Sequence, residues 1–162
     1  MTENKIIVGI GEYKVASNNE VLVTMSLGSC VGVALYDPVS KVGGLAHIML
    51  PNSAMSKSHT NLAKFADTGI RMMLEDMLKM GANKVITVAK IVGGACMFES
   101  KMADPMMKIG ERNVEAVREI LTQEGIPIFK EDTGKNYGRT VEFYTETGKV
   151  IVKSYQKPTI EL

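Results

Sequence analysis

The 162-residue sequence predicts an α+β fold, a layered α/β sandwich with mostly antiparallel strands and two main helices. Three observations predict it. Short apolar, β-branched runs recur along the chain, and only two segments show the three- and four-residue apolar spacing of an amphipathic helix. Strands and helices do not alternate regularly, as a doubly wound parallel sheet would require. Turn signals at Asp37-Pro38-Val39-Ser40 and Glu146-Thr147-Gly148 join neighbouring strand-like runs into hairpins.

The elements follow in order. Residues 6–10 read as a short buried strand and residues 21–25 as a second. Gly28 breaks that run, and Val31-Gly32-Val33-Ala34-Leu35-Tyr36 resumes it. In the turn that follows, Asp37 can bond the backbone ahead of it and Pro38 presets φ at the second position. Residues 42–50 form the returning strand, which Pro51 ends, and the small, polar stretch 52–61 reads as a loop. Leu62, Phe65, Ala66, Ile70, Met73, Leu74 and Met77 then form one apolar stripe, a helix that Gly81 caps. Residues 85–92 are strand-like and run into Gly93-Gly94, and residues 97–107 form a Met-rich loop. A second helix carries Val114, Val117, Ile120 and Leu121 and ends at Gly125. Residues 126–129 read as a strand, and residues 140–144 and 149–155 as the closing hairpin. No repeat, low-complexity tract or linker interrupts the chain, so residues 1–162 read as one domain.

Composition narrows the function classes. Hydrophobic residues make up 45% and charged residues 23%, the balance of a soluble globular protein. A net charge of +1 gives no basis for nucleic-acid binding or an anionic-membrane surface. The polar opening Met1-Thr2-Glu3-Asn4-Lys5 does not read as a signal peptide, and no apolar stretch approaches the roughly 20 residues of a membrane span. Two widely spaced cysteines suggest free thiols in a reducing cytoplasm.

Chemistry concentrates at Cys30, within Leu27-Gly28-Ser29-Cys30-Val31-Gly32-Val33. Small neighbours let a substrate approach the sulfur. If Pro38 and Val39 are the hairpin loop, paired positions sum to 77 and Cys30 lies opposite His47, one of only two histidines. Opposed residues in an antiparallel ladder have Cβ atoms about 4.5–5.5 Å apart, within thiol–imidazole reach, and a longer loop shifts the pairing. An imidazole can take the thiol proton, but it needs a third group to fix its tautomer, and Thr24 is the nearest polar candidate. The N–H groups around Ser29 and Cys30 could serve an oxyanion. From the residues alone, Cys30 and His47 are as readily core side chains, and Thr24 ordinary β-strand filler.

Other signals are weaker. Cys30, His47, His59 and Cys96 are the right inventory for zinc but lack knuckle spacing, so neither metal nor cofactor is expected. Gly9-Ile10-Gly11 lacks the third glycine of a dinucleotide fold, and Gly93-Gly94-Ala95 reads as a tight turn or a close backbone approach rather than a phosphate cradle. Met97, Phe98, Met102, Met106 and Met107 suit core packing or an adaptable partner surface. His59, in a polar loop, reads as solvated.

Taken together, these stretches resemble the CheD family, the chemoreceptor glutamine deamidases of chemotaxis. The resemblance rests on Gly9-Ile10-Gly11-Glu12-Tyr13, on Thr24 with Leu27-Gly28-Ser29-Cys30-Val31, and on Tyr36-Asp37-Pro38. It continues through Gly44-Leu45-Ala46-His47-Ile48-Met49-Leu50-Pro51, Phe65-Ala66-Asp67, Lys90-Ile91-Val92-Gly93-Gly94-Ala95 and Met97-Phe98. Ile109-Gly110-Glu111-Arg112-Asn113 and Glu131-Asp132-Thr133-Gly134 complete it. The resemblance implies a cytoplasmic protein-glutamine deamidase with Cys30 as nucleophile, His47 as proton carrier and Thr24 as its positioner. It also implies methyl-accepting chemoreceptors, through their cytoplasmic helices, and a CheC-type phosphatase as partners. The implied fold is similar to the catalytic domains of deamidating toxins. The competing readings are a non-catalytic adaptor for receptors or a CheC-type phosphatase, and a thiol protease. Cys96 has no assigned role.

Overall fold

The computed structural model describes residues 4–58, 60–97 and 108–162. One five-stranded sheet runs in the order β1 (Lys5–Ile7), β3 (Val21–Leu27), β8 (Arg139–Tyr144), β9 (Val150–Lys153), β10 (Ile160–Glu161). The other runs β2 (Tyr13–Ala16), β5 (Val42–Ile48), β4 (Val31–Asp37), β6 (Val88–Gly93), β7 (Ile128–Thr133). Among the described residues β1–β3 and β6–β7 are the parallel pairs, and the other pairings are antiparallel, as expected for an α+β sandwich.

Two apolar layers explain the order of the stack. Val31, Val33 and Leu35 of β4 and Ala46 and Ile48 of β5 face α1 (Ala66–Lys79) and α2 (Ile109–Gln123), packing with Ile70, Met73, Met77, Val117 and Ile120. The alternate residues Ala34, Tyr36 and Leu45 face the first sheet and meet Leu22, Val141, Phe143 and Val152. All seven residues of β4 and all seven of β5 are therefore buried. A strand covered on both faces has no polar side to display, hence the unbroken apolar run at Val31 to Tyr36.

Several boundaries differ from the sequence expectation, each for a local reason. Residues 62–64 form a 3-10 turn capped by the Asn61 side chain, and the extended backbone of Phe65 separates it from α1. Residues 84–86 form another, capped by Asn83, so β6 begins at Val88 and Val85 is exposed. β2 and β10 were not anticipated. β2 is a four-residue edge strand with Lys14 exposed, and β10 has two exposed residues, too little apolar alternation to read.

The β4–β5 turn is the correction that matters most. It spans residues 38–41 rather than two residues, with Lys41 at φ 58° and Asp37 paired to Val42. The Asp37 carboxylate builds it, accepting from the N–H groups of Val39 and Asn83 at 2.8 Å each, from the Ser40 N–H at 3.3 Å and from the Ser40 hydroxyl at 2.8 Å. Burial alone would raise this carboxyl, but the hydrogen bonds outweigh it and hold Asp37 below the usual carboxylate value. The register moves with the turn: His47 stands opposite Gly32, not Cys30.

Candidate active site

Cys30 lies where the chain crosses between sheets. β3 belongs to one sheet and β4 to the other, and residues 28–30 carry the chain across. A β-bulge between Thr24 and Leu27 precedes the crossing, with Ser26 at φ 61°. Bulges bend a strand and re-aim it, and here the bend turns the chain towards the second sheet. It leaves Thr24 in register with Val141, buried in the layer between the sheets.

The crossing is fastened by backbone, not by its own side chains. Gly94 N–H donates to the Cys30 carbonyl at 2.8 Å and Ala95 N–H to the Gly28 carbonyl at 2.9 Å. Gly93 adopts φ +111°, and a Cβ there would overlap the Cys30 carbonyl oxygen, so the close approach requires glycine at this position. Of the two readings of Gly93-Gly94-Ala95, a tight turn or a close backbone approach, Gly93 shows the second, against the Cys30 carbonyl. Among the described residues the N–H groups of Ser29 and Cys30 reach no acceptor, which leaves two adjacent donors beside the sulfur.

His47 projects from β5 into the same layer between the sheets as Leu45. Cys30 packs against that layer too, two positions before Gly32, the partner of His47. Thiol and imidazole are therefore diagonal rather than opposed. Cys30 stands one residue beyond the last rung of the ladder, and among the described residues its sulfur makes no hydrogen bond to His47 Nε2.

Hydrogen bonding fixes the histidine tautomer. Thr24 Oγ1 lies 2.7 Å from His47 Nδ1 and 2.8 Å from the Val8 carbonyl oxygen, all in the buried interior. A carbonyl only accepts, so the single hydroxyl proton goes to Val8 and Thr24 Oγ1 must accept from Nδ1–H. The reverse assignment would leave a buried carbonyl without a donor, a loss of about 1–3 kcal/mol. With the proton on Nδ1, Nε2 carries the lone pair, and Nε2 is buried without a hydrogen-bond partner among the described residues. Thr24 belongs to the facing sheet, so the ring is held across the sandwich.

Burial sets the resting charge. It pushes the Cys30 thiol above its ordinary value and the His47 imidazole below its own. At neutral pH the resting pair is thiol and neutral imidazole. Such an arrangement offers a base with a free lone pair, a partly accessible sulfur and two backbone donors. Those are the parts needed for attack on an acyl carbon. Nitrogen-15 NMR of His47 is expected to show a proton on Nδ1 and none on Nε2, and Thr24→Val is expected to mix the tautomers. A wild-type spectrum with the proton on Nε2 would overturn the assignment.

Asn113 is the residue that sequence reasoning gave no role. It is fully buried inside α2, and its Nδ2 donates to the carbonyls of Ser29 and Met49 at 3.0 Å each. Its signal was present: a polar residue one step before Val114 on an otherwise apolar stripe. A cavity of about 650 Å³ opens between α1 and α2, lined in part by Arg71, Arg112, Glu115 and Glu119. None of Thr24, Cys30 and His47 lines it, and its mixed charges do not mark one ligand class. Among the described residues no three His, Cys, Asp or Glu side chains gather as a metal site. His59, Phe98 and Met102, Met106 and Met107 lie outside the described residues.

Comparison with known proteins bears on the same chain. The sequence model of the CheD family, described as CheD chemotactic sensory transduction, matches residues 49–154. That match begins after Thr24, Cys30 and His47, but full-length relatives extend across them. The probable chemoreceptor glutamine deamidase CheD of Caldanaerobacter subterraneus subsp. tengcongensis is 54% identical over 153 residues, covering 94% of each chain. The chemoreceptor glutamine deamidase CheD of Thermotoga maritima is 50% identical over 149 residues, covering 92% of this chain and 91% of its own. Among solved structures, the Bacillus licheniformis hypothetical protein YfiH aligns with a TM-score of 0.47 at 21% identity, over 75% of this chain and 49% of that one.

Proposed function

The chain belongs to the CheD family and is a chemoreceptor glutamine deamidase, a protein-glutamine amidohydrolase, and on that premise we propose that Cys30, His47 and Thr24 carry the reaction. One observation supports this reading above the others. Thr24 holds the His47 ring by Nδ1, which leaves the buried Nε2 without a partner among the described residues, and Cys30 packs against the same inter-sheet layer.

His47 Nε2 takes the Cys30 proton, and Sγ attacks the side-chain carboxamide carbon of a receptor glutamine. Negative charge moves to the amide oxygen, where the Ser29 and Cys30 N–H groups can receive it. His47 returns its proton to the nitrogen, the C–N bond breaks, and ammonia leaves a thioester. Water then attacks the thioester, with Nε2 as its base, and releases a glutamate side chain and the free thiol. Throughout, Thr24 accepts from Nδ1–H and steadies the imidazolium, while Val8 keeps the hydroxyl proton.

The resemblance supports two further parts of the proposal: a cytoplasmic location and a CheC-type phosphatase as a second partner. Among the described residues no helix is long and apolar enough to cross a membrane. The direct test is mass spectrometry of receptor cytoplasmic fragments incubated with the wild-type chain. The expected product is an intact fragment bearing the mass gain of amide-to-acid exchange at particular glutamines. A cut fragment would point to a thiol protease, and an unchanged one to an adaptor.

A further inference from the structure

We infer that Asn113 is a positioning residue for the reaction, the bridge that holds the nucleophile loop and the base-bearing strand at a fixed separation. The inference rests on the assignment of Cys30 and His47 above. Ser29, whose carbonyl receives one Nδ2 hydrogen, immediately precedes Cys30, and Met49, whose carbonyl receives the other, lies two residues beyond His47. Both acceptors are carbonyls, so only the Nδ2 end of the Asn113 side chain, with its two hydrogens, can satisfy the pair, which orients the amide without ambiguity.

The asparagine carries costs of its own, which its two hydrogen bonds must offset. Asparagine is unfavourable inside a helix, and Asn113 Oδ1 is buried with no partner among the described residues. The asparagine joins two segments that no sheet pairing connects at this point. β4 and β5 pair only from Val31 and Ile48 onward, so Cys30 and Met49 lie just past the last rung of the ladder. α2 is pressed onto the Gly94–Ala95 segment that fastens the crossing, because a Cβ on Gly110 would overlap the Ala95 carbonyl oxygen. Losing the bridge frees the sulfur to drift from Nε2, and a misplacement of about 1 Å at reacting groups can cost on the order of 10²-fold in rate.

A double-mutant cycle on the full chain tests this with a readout that simple destabilisation does not move. The rate of Cys30 alkylation by iodoacetamide at neutral pH is measured peptide by peptide, so that Cys96 is scored separately. The four proteins are wild type, His47→Ala, Asn113→Ala and the double variant. His47→Ala is expected to slow alkylation in the wild-type background and to have almost no further effect after Asn113→Ala. An equal effect of His47→Ala in both backgrounds would overturn the role of Asn113. No effect in the wild-type background would instead overturn the thiol–imidazole pair itself. Should Asn113→Ala not fold, Asn113→Gln keeps an amide donor but shifts it by a methylene. It is expected to lower kcat for receptor deamidation about tenfold or more at unchanged KM, and a folded Gln variant with wild-type kcat would sink the proposal.

Discussion

Cys30→Ala is expected to abolish receptor deamidation while the chain stays folded. The side chain is half-buried at a corner, and it is the Cys30 carbonyl, not the sulfur, that Gly94 holds. Removing one sulfur from such a place costs little, about 1 kcal/mol or less, so the melting transition should barely move. Activity should fall by about 10⁴-fold or more, because covalent attack through the Cys30 sulfur is lost outright. Intact-mass measurement of receptor fragments checks the chemistry, and binding of the same fragments checks the surface. Binding that persists while turnover vanishes separates the enzyme from its adaptor alternative. Turnover that persists in the variant would remove Cys30 from the mechanism.

How far the site was legible in the sequence depends on how local each determinant is. Cys30 among glycines and serine, and His47 in a small-residue strand, were readable because their neighbours in sequence are also their neighbours in space. Both helices were readable from spacing, since Ile70, Met73 and Met77 do face one apolar layer. The register was not. It depends on a four-residue turn whose carboxylate, Asp37, also binds the N–H of Asn83, which stands 46 residues further along the chain. No local pattern announces such a partner.

Thr24 shows the same divide from the other side. Sequence proximity made it a candidate, but its contact with His47 comes from stacking two sheets, with the bulge after Thr24 turning the chain into the second. Asn113 was further from reach. Its value lies in two carbonyls, Ser29 and Met49, that are brought together only when α2 packs on the crossing. The residues proposed for the chemistry were visible as types, whereas the contacts that place them became visible only with the fold.

His47→Ala is the second large effect, expected to lower kcat/KM by about 10²–10⁴-fold, and its pH dependence carries more information than its size. Burial holds the wild-type imidazole below its ordinary 6.5 and the thiol above its ordinary 9.0, so between those two values the resting pair is neutral. The wild-type kcat/KM profile should therefore be flat across neutral pH. It should fall on the acid side, below the ordinary imidazole range, as Nε2 takes a solvent proton and can no longer accept one from Cys30. It should fall again above the ordinary thiol range, where Cys30 has already lost its proton and His47 lacks one to give to departing ammonia. A pre-formed thiolate–imidazolium pair would behave differently, with its acid limb set by a depressed thiol and its alkaline limb by a raised imidazole. Removing His47 removes the internal proton acceptor, so Cys30 can attack only as thiolate made by solvent. The residual activity of His47→Ala should then climb with pH through the range where the wild type is level. A residual profile as flat as the wild type would place the proton acceptor on another group.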